Sequence, residues 1–324
     1  MQPVEPKELR AACRARDLAA AYYLFNPRVT LIDVGWRIEE SQGRRTTEDL
    51  AVRVHVNYKP RGAALEALGE RRPDLVIDTN RIPFCVDIVE SSYPLQWYPY
   101  PVQPARRTCV FNPLQGGISI SNEWSFNSGT LGGLVRDLDT DDAMILSNWH
   151  VLVGSEYAPK GLRIYQPGCA EGGWSPNTVA QLERHAMGKG IDAAVAKLTN
   201  ARPWINDQLD VGPVTGFTAP MLDMRVTKSG RGSEVTTGVI DGIEGEYPID
   251  YGGFTRKIKH VYRIVSVTGE QVSTGGDSGS WWLEEKTKKA VALHFAGYDD
   301  PETALAMAMP QVLEALNVYI PGKA

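Results

Sequence analysis

Residues that commonly carry chemistry are sparse in this chain: its 324 residues include four cysteines and five histidines. Cys13, Cys85, Cys109 and Cys169 are far apart and form no C-x-x-C pair. That spacing argues against a zinc site and predicts reduced thiols, with two disulfides in an exported form as the alternative. No apolar run approaches the roughly 18 residues of a membrane span. The start, MQPVEPKELRAACRARDLAAA, mixes acids and bases and has no uninterrupted apolar stretch, so it does not read as a secretory signal. The expectation is a cytoplasmic protein. Charge of one sign is lacking too: 34 Lys and Arg are dispersed among 39 Asp and Glu, for a net charge of −5. This gives no reason to expect nucleic-acid or acidic-membrane binding. No cofactor motif, metal-ligand spacing, internal repeat or low-complexity segment is present.

What remains is a soluble globular composition, 43% hydrophobic and 23% charged, long enough for about two domains. A break falls at SSYPLQWYPYPVQPARR, where Pro94, Pro99, Pro101 and Pro104 exclude a helix and favour an extended connector. This divides the chain into residues 1–105, a small α+β accessory domain with its connector, and residues 106–324. In the first part Leu9, Ala12, Ala15, Ala19 and Tyr22 recur at helical spacing, and DLAVRVHVNYK puts Leu50, Val52, Val54, Val56 and Tyr58 on one strand face. A second helix is predicted around Leu65 and Leu68. In the second part GTLGGLVRDL, AMILSNWHV, IDAAVAKL, MRVTKSG, TTGVIDGI, VYRIVSV, SWWLEE and AVALHFAG read as short strands between Gly, Asn and Asp turns. That pattern predicts a sandwich or barrel, with a terminal helix after Pro310.

The stretch STGGDSGSWW sets Ser278 between Asp277 and Gly279. Gly-Asp-Ser-Gly in isolation is a turn. A serine hydroxyl becomes a nucleophile only beside a base that is itself oriented by a third group. Among the histidines, His150 follows AMILSN, a strand ending in Ser147 and Asn148, residue types that cap helices, which places the imidazole where a strand turns into a short helix. His55, on the polar face of its strand, and His260, among Lys257, Lys259 and Arg263, read as solvated. Asp192 opens the apolar run IDAAVAKL, where a carboxylate needs a hydrogen-bonded role, although a lone Asp there could simply cap a turn after Gly190. The order is His150, Asp192, Ser278. The α/β-hydrolase order is the reverse, and its G-x-S-x-G elbow fails here at Ser280.

Residues from about 113 onward resemble a chymotrypsin-like serine peptidase of the cysteine-poor bacterial kind. LSNWHV resembles the histidine motif, IDAAVAKL the aspartate strand and GGDSGS the nucleophile loop, while KSGRGSEVTTGVI and GTLGGLVRD resemble two further strand segments of the family. The resemblance implies a mainly β fold, a double six-stranded β-barrel behind the small α+β domain. It implies a serine endopeptidase acting on protein or peptide substrates, with Ser278 as nucleophile, His150 as base, Asp192 as its orienting acid, and the N–H groups of Gly276 and Ser278 as the oxyanion hole. VALHFAG resembles the strand in which a histidine of glutamyl endopeptidases contacts the side chain before the scissile bond, which makes His294 a substrate-binding candidate. Val291 departs from the first glycine of that pattern, and Val151 stands where secreted animal enzymes carry a disulfide cysteine. The alternative is a peptidase-fold binding or sensing module with weak or repressed activity. For the N-terminal domain an inhibitory pro-segment, a docking module for a regulatory partner and a structural brace all remain open.

Overall fold

The computed structural model describes residues 4–38, 45–58, 77, 79–95, 106–250, 255–267, 269–299 and 302–322. The helix expected around Leu65 and Leu68, and most of the proline-rich connector, lie outside them. The chain divides into two compact units: Met1–Tyr93 with Asp241–Tyr262, and Pro94–Ile240 with Arg263–Ala324. Sequence periodicity gave no sign that Asp241–Tyr262 joins the first unit, because pairing between distant strands leaves no local pattern. Among the described residues no helix is long and apolar enough to cross a membrane.

In the first unit the helix Pro6–Tyr23 starts with proline at its first turn, where the missing N–H costs nothing. It buries Ala15, Ala19, Ala20 and Tyr23 against Ile32, Val52, Val54 and Val56. The expected stripe ended at Tyr22, but that ring is 52% exposed and the neighbouring Tyr23 carries the contact. The strands Val29–Ile38 and Arg45–Val56 pair antiparallel, and Val86–Glu90 adds in parallel. Their second face is a correction to the solvated reading of His55, which is fully buried. Arg53 donates to both oxygens of Asp33, His55 bonds Asp33 at 3.2 Å, and the Tyr93 hydroxyl meets His55 Nδ1 at 2.9 Å. Burial alone would raise the Asp33 pKa; Arg53 and His55 reverse this and hold the carboxyl well below its usual range. A polar strand face can therefore be internal when its charges satisfy one another.

The second unit is mainly β. One sheet runs in the order Val318–Tyr319, Gly133–Asp137, Ala143–Ser147, Ala194–Leu198, Thr178–His185, Arg163–Tyr165, Ser119–Asn122 and Gly129–Thr130. Its last strand and its second are separated by only Leu131 and Gly132, so the sheet curls back on itself. Counting that bent stretch once and setting aside the short C-terminal strand leaves six strands. A second ring closes through Arg225–Gly230, Trp281–Glu284, Ala290–Asp299, Glu302–Ala308, Thr255–Val265 and Glu234–Asp250, the last pairing back onto the first. The outer parts of its last two strands belong to the first unit. Trp281 and Trp282 are wholly buried. Gly133 is small for a reason: a Cβ there would stand 2.6 Å from the Trp281 ring. Gly133→Ala should lower stability by about 1–3 kcal/mol through overpacking, read as a reduced urea midpoint with unchanged slope. An unchanged midpoint would contradict this packing.

Candidate active site

The candidate histidine and acid are held by the ends of two neighbouring strands. Ala143–Ser147 and Ala194–Leu198 pair with Ser147 opposite Ala194, which sets the short helix Trp149–Leu152 beside Asp192. His150 Nδ1 lies 2.6 Å from Asp192 Oδ2, and the His150 main-chain N–H donates to Oδ1 at 3.1 Å. A carboxylate can only accept here, so Nδ1 is the donor of this bond, and in the neutral tautomer Nε2 is the nitrogen that can accept a proton. Asn148 occupies the N-cap, yet its side chain makes no cap hydrogen bond. It donates instead to the Asp192 carbonyl at 2.8 Å, tying the two candidate residues together through the backbone as well.

Ser278 is held by the same sheet that carries the histidine and the acid. Thr130 N–H donates to the Ser278 carbonyl at 2.8 Å, and Thr130 Oγ1 donates to the Gly276 carbonyl at 2.8 Å. Ser147 Oγ, three residues before His150, donates to the Thr130 carbonyl. A Cβ on Gly129 would stand 2.8 Å from the Ser278 carbonyl and 3.0 Å from a methyl of Val151, the residue after His150. The strand Gly129–Thr130 thus lies between the histidine and serine segments and touches both. Ser278 Oγ sits 3.2 Å from the Phe295 carbonyl and is fully buried. Gly276 and Gly279 both have φ of 97°, a left-handed conformation that favours glycine.

Asp277 anchors this loop. Its Oδ2 accepts from Lys228 Nζ at 2.9 Å, Ser233 Oγ at 2.5 Å and Thr274 N–H at 3.0 Å, and its Oδ1 accepts from the N–H groups of Gly232 and Ser233. Both charges are fully buried. Burial would raise the Asp277 carboxyl, but Lys228 and these donors bring it down to about 2. Sequence reading did not assign this partner. The only signal was a lysine inside the strand segment RVTKSG.

His294 lies on the strand Ala290–Asp299, whose backbone bonds the loop: its carbonyl accepts from Gly279 N–H, and its N–H donates to the Ser280 carbonyl. The ring meets the edge of Trp282 with centroids 6.2 Å apart. Burial, then the neighbouring charge of Lys228, push its pKa down to about 3, so the imidazole is neutral at physiological pH. Two carboxylates that follow Asp192 closely in sequence, Asp207 and Asp210, have other places. Asp210 bonds Arg106 and Arg107 and is half-exposed, and Asp207 lies on the strand Trp204–Gln208 of a separate small sheet.

No family model matches the chain, and neither does any curated protein sequence. Solved structures do. A Nocardiopsis protease is similar with a TM-score of 0.47 and 15% identity over 63% of this chain and 97% of its own. Protease A of Thermobifida fusca has a TM-score of 0.47 and 16% identity over 64% of this chain and 98% of its own. A protease described as glutamic acid specific, with a histidine triad in substrate binding, has a TM-score of 0.49 and 16% identity over 64% of this chain and all of its own. The likeness is one of fold alone.

Lys228→Met should destabilise the protein by about 3–5 kcal/mol, since it leaves a buried carboxylate uncompensated, and Asp277→Asn in the same chain should recover much of the loss. Equal instability of the single and double variants in urea would contradict the pairing. The His294 shift predicts a pH dependence as well. As pH falls from the ordinary 6.5 toward 3, the unfolded chain takes up a proton that the native imidazole refuses, so stability declines across that window. His294→Gln should flatten that decline; a slope left unchanged would mean that the ring titrates normally.

Proposed function

We propose that the protein is a serine endopeptidase that cleaves protein or peptide substrates through an acyl-enzyme. The observation that carries this reading is the 2.6 Å bond between His150 Nδ1 and Asp192 Oδ2, next to a serine loop fixed by its own buried ion pair. In this reading Ser278 Oγ attacks a peptide carbonyl while His150 Nε2 takes its proton. The tetrahedral oxyanion is received by the N–H groups of Gly276 and Ser278. As the intermediate collapses, the C–N bond breaks and His150 hands the proton to the leaving amine; water then repeats the sequence on the acyl-enzyme. Asp192 keeps the imidazole in the required tautomer and balances its positive charge. The segments GTLGG and GGDSG contribute because Thr130 and the loop glycines let backbone approach backbone.

His294 is the proposed reader of the side chain before the scissile bond, with Glu or Gln preferred and a broad small-residue preference as the rival. Its support is the direct backbone pairing between its strand and Gly279 and Ser280. A ring with a pKa near 3 stays uncharged from pH 5 to 8, so a preference set by it should not change over that range.

Ser278→Ala and His150→Ala should each lower turnover by roughly 10⁶ with the fold retained, and Asp192→Asn by about 10⁴. Asp210→Asn should leave turnover intact. Casein or a mixed peptide pool serves as substrate, with fragments read by mass spectrometry. Cleavage by Ser278→Ala at the parental rate would overturn the triad, and a parent chain that cleaves nothing would make a binding or sensing module the better reading.

A further inference from the structure

Gly276 is a proposed oxyanion donor, and a glycine with φ of 97° has no side chain to hold its peptide in place. Its geometry must be imposed by what packs on it. The neighbour is Arg231, on the turn between Arg225–Gly230 and Glu234–Asp250. A Cβ on Gly276 would overlap the Arg231 guanidinium and lie 3.2 Å from its Cδ, so the side chain rests directly on the glycine α-carbon. The backbone of the same residue reaches the other side of that glycine: Arg231 N–H donates to Thr130 Oγ1 at 2.9 Å, and that hydroxyl donates to the Gly276 carbonyl.

The guanidinium is itself held. Arg231 Nε donates to Glu171 Oε1 at 2.7 Å, Nη2 bonds the same oxygen, and the two side chains are 1% and 5% exposed. Glu171 Oε2 accepts from Ser119 Oγ at 2.5 Å, and Ser119 lies in the opposite sheet. A connected path therefore runs from the first sheet through Glu171 and Arg231 to Gly276. Buried ion pairs add little net stability compared with apolar residues of the same volume, so stability alone does not account for this one. A fixed geometry does.

We propose that Arg231 and Glu171 form a positioning pair that holds the Gly276 N–H toward the oxyanion. This rests on the endopeptidase reading above. Neither residue touches substrate; they act through the loop. Displacing a catalytic group by about 1 Å can cost about 10² in rate, and a mispositioned oxyanion donor harms the transition state more than the bound substrate.

The test uses the full chain and four variants, Arg231→Met, Arg231→Lys, Glu171→Gln and the double Arg231→Met/Glu171→Gln, with kcat, KM and the affinity of a peptide boronate that forms a tetrahedral adduct on serine. Arg231→Met should lose about 10² in kcat with KM unchanged, and boronate affinity should fall by a similar factor. Glu171→Gln should follow the same pattern, the double should be no worse than Arg231→Met, and Arg231→Lys should recover part of the loss. Thermal midpoints separate this from unfolding. An unchanged kcat in Arg231→Met and Glu171→Gln, a loss confined to KM, or additive losses in the double would each overturn the pair. A parent chain that neither hydrolyses peptides nor binds the boronate would overturn the endopeptidase reading and the pair together.

Discussion

The carboxylate of Asp277 collects an ammonium, a hydroxyl and three main-chain N–H groups in a space with no water exposure. A buried charge so fully satisfied cannot be moved without losing several bonds together, which makes the adjacent Ser278 a fixed point. Lys228 supplies the positive charge from within the barrel itself, as an internal residue of the strand Arg225–Gly230. The loop geometry therefore needs no charge delivered from a chain terminus. Fixing that loop by an internal ion pair also lets Thr130 act as a strut, because its two bonds to the Ser278 and Gly276 carbonyls reach a loop that does not shift away from it.

Around this fixed point the two sheets of the second unit have different duties. The curled first sheet presents His150 and Asp192 on adjacent strand ends, and the six-stranded ring presents Ser278 and His294 on paired segments. Their meeting line is built from small residues, Gly129, Gly132 and Gly279, each with a neighbour's atoms where a side chain would be. The first unit is organised by the same principle in a different place: Asp33, Arg53 and His55 share one buried network beneath two tyrosines. Its role as brace, pro-segment or docking module for a regulatory partner is a question of partners, which that internal network does not address.

What could be read in the sequence was local. GGDSGS, LSNWHV and IDAAVAKL each keep their meaning within six to eight residues, and the mainly β character follows from short apolar runs between turns. What escaped depends on pairings across the chain. Lys228 and Asp277 are 49 positions apart, and Arg231 and Glu171 are 60 apart, so neither pair leaves a spacing signal. The run ETALAMA, rich in helix-favouring residues, is a strand because its partner Ala290–Asp299 claims it. His55 was misread for a related reason: alternation separates two faces but does not say which of them water reaches. Asn148 was placed correctly at a helix start, but its amide serves Asp192, because the Asp192 carboxylate already satisfies the His150 N–H.

The central claim is that Ser278 is activated by His150. The most direct measurement is to treat the full chain with a fluorophosphonate at pH 7 to 8 and map the adduct by mass spectrometry, alongside His150→Ala. The account predicts one adduct, on Ser278, that is nearly abolished when His150 is replaced. No adduct on Ser278, or labelling that proceeds equally without the imidazole, would contradict it.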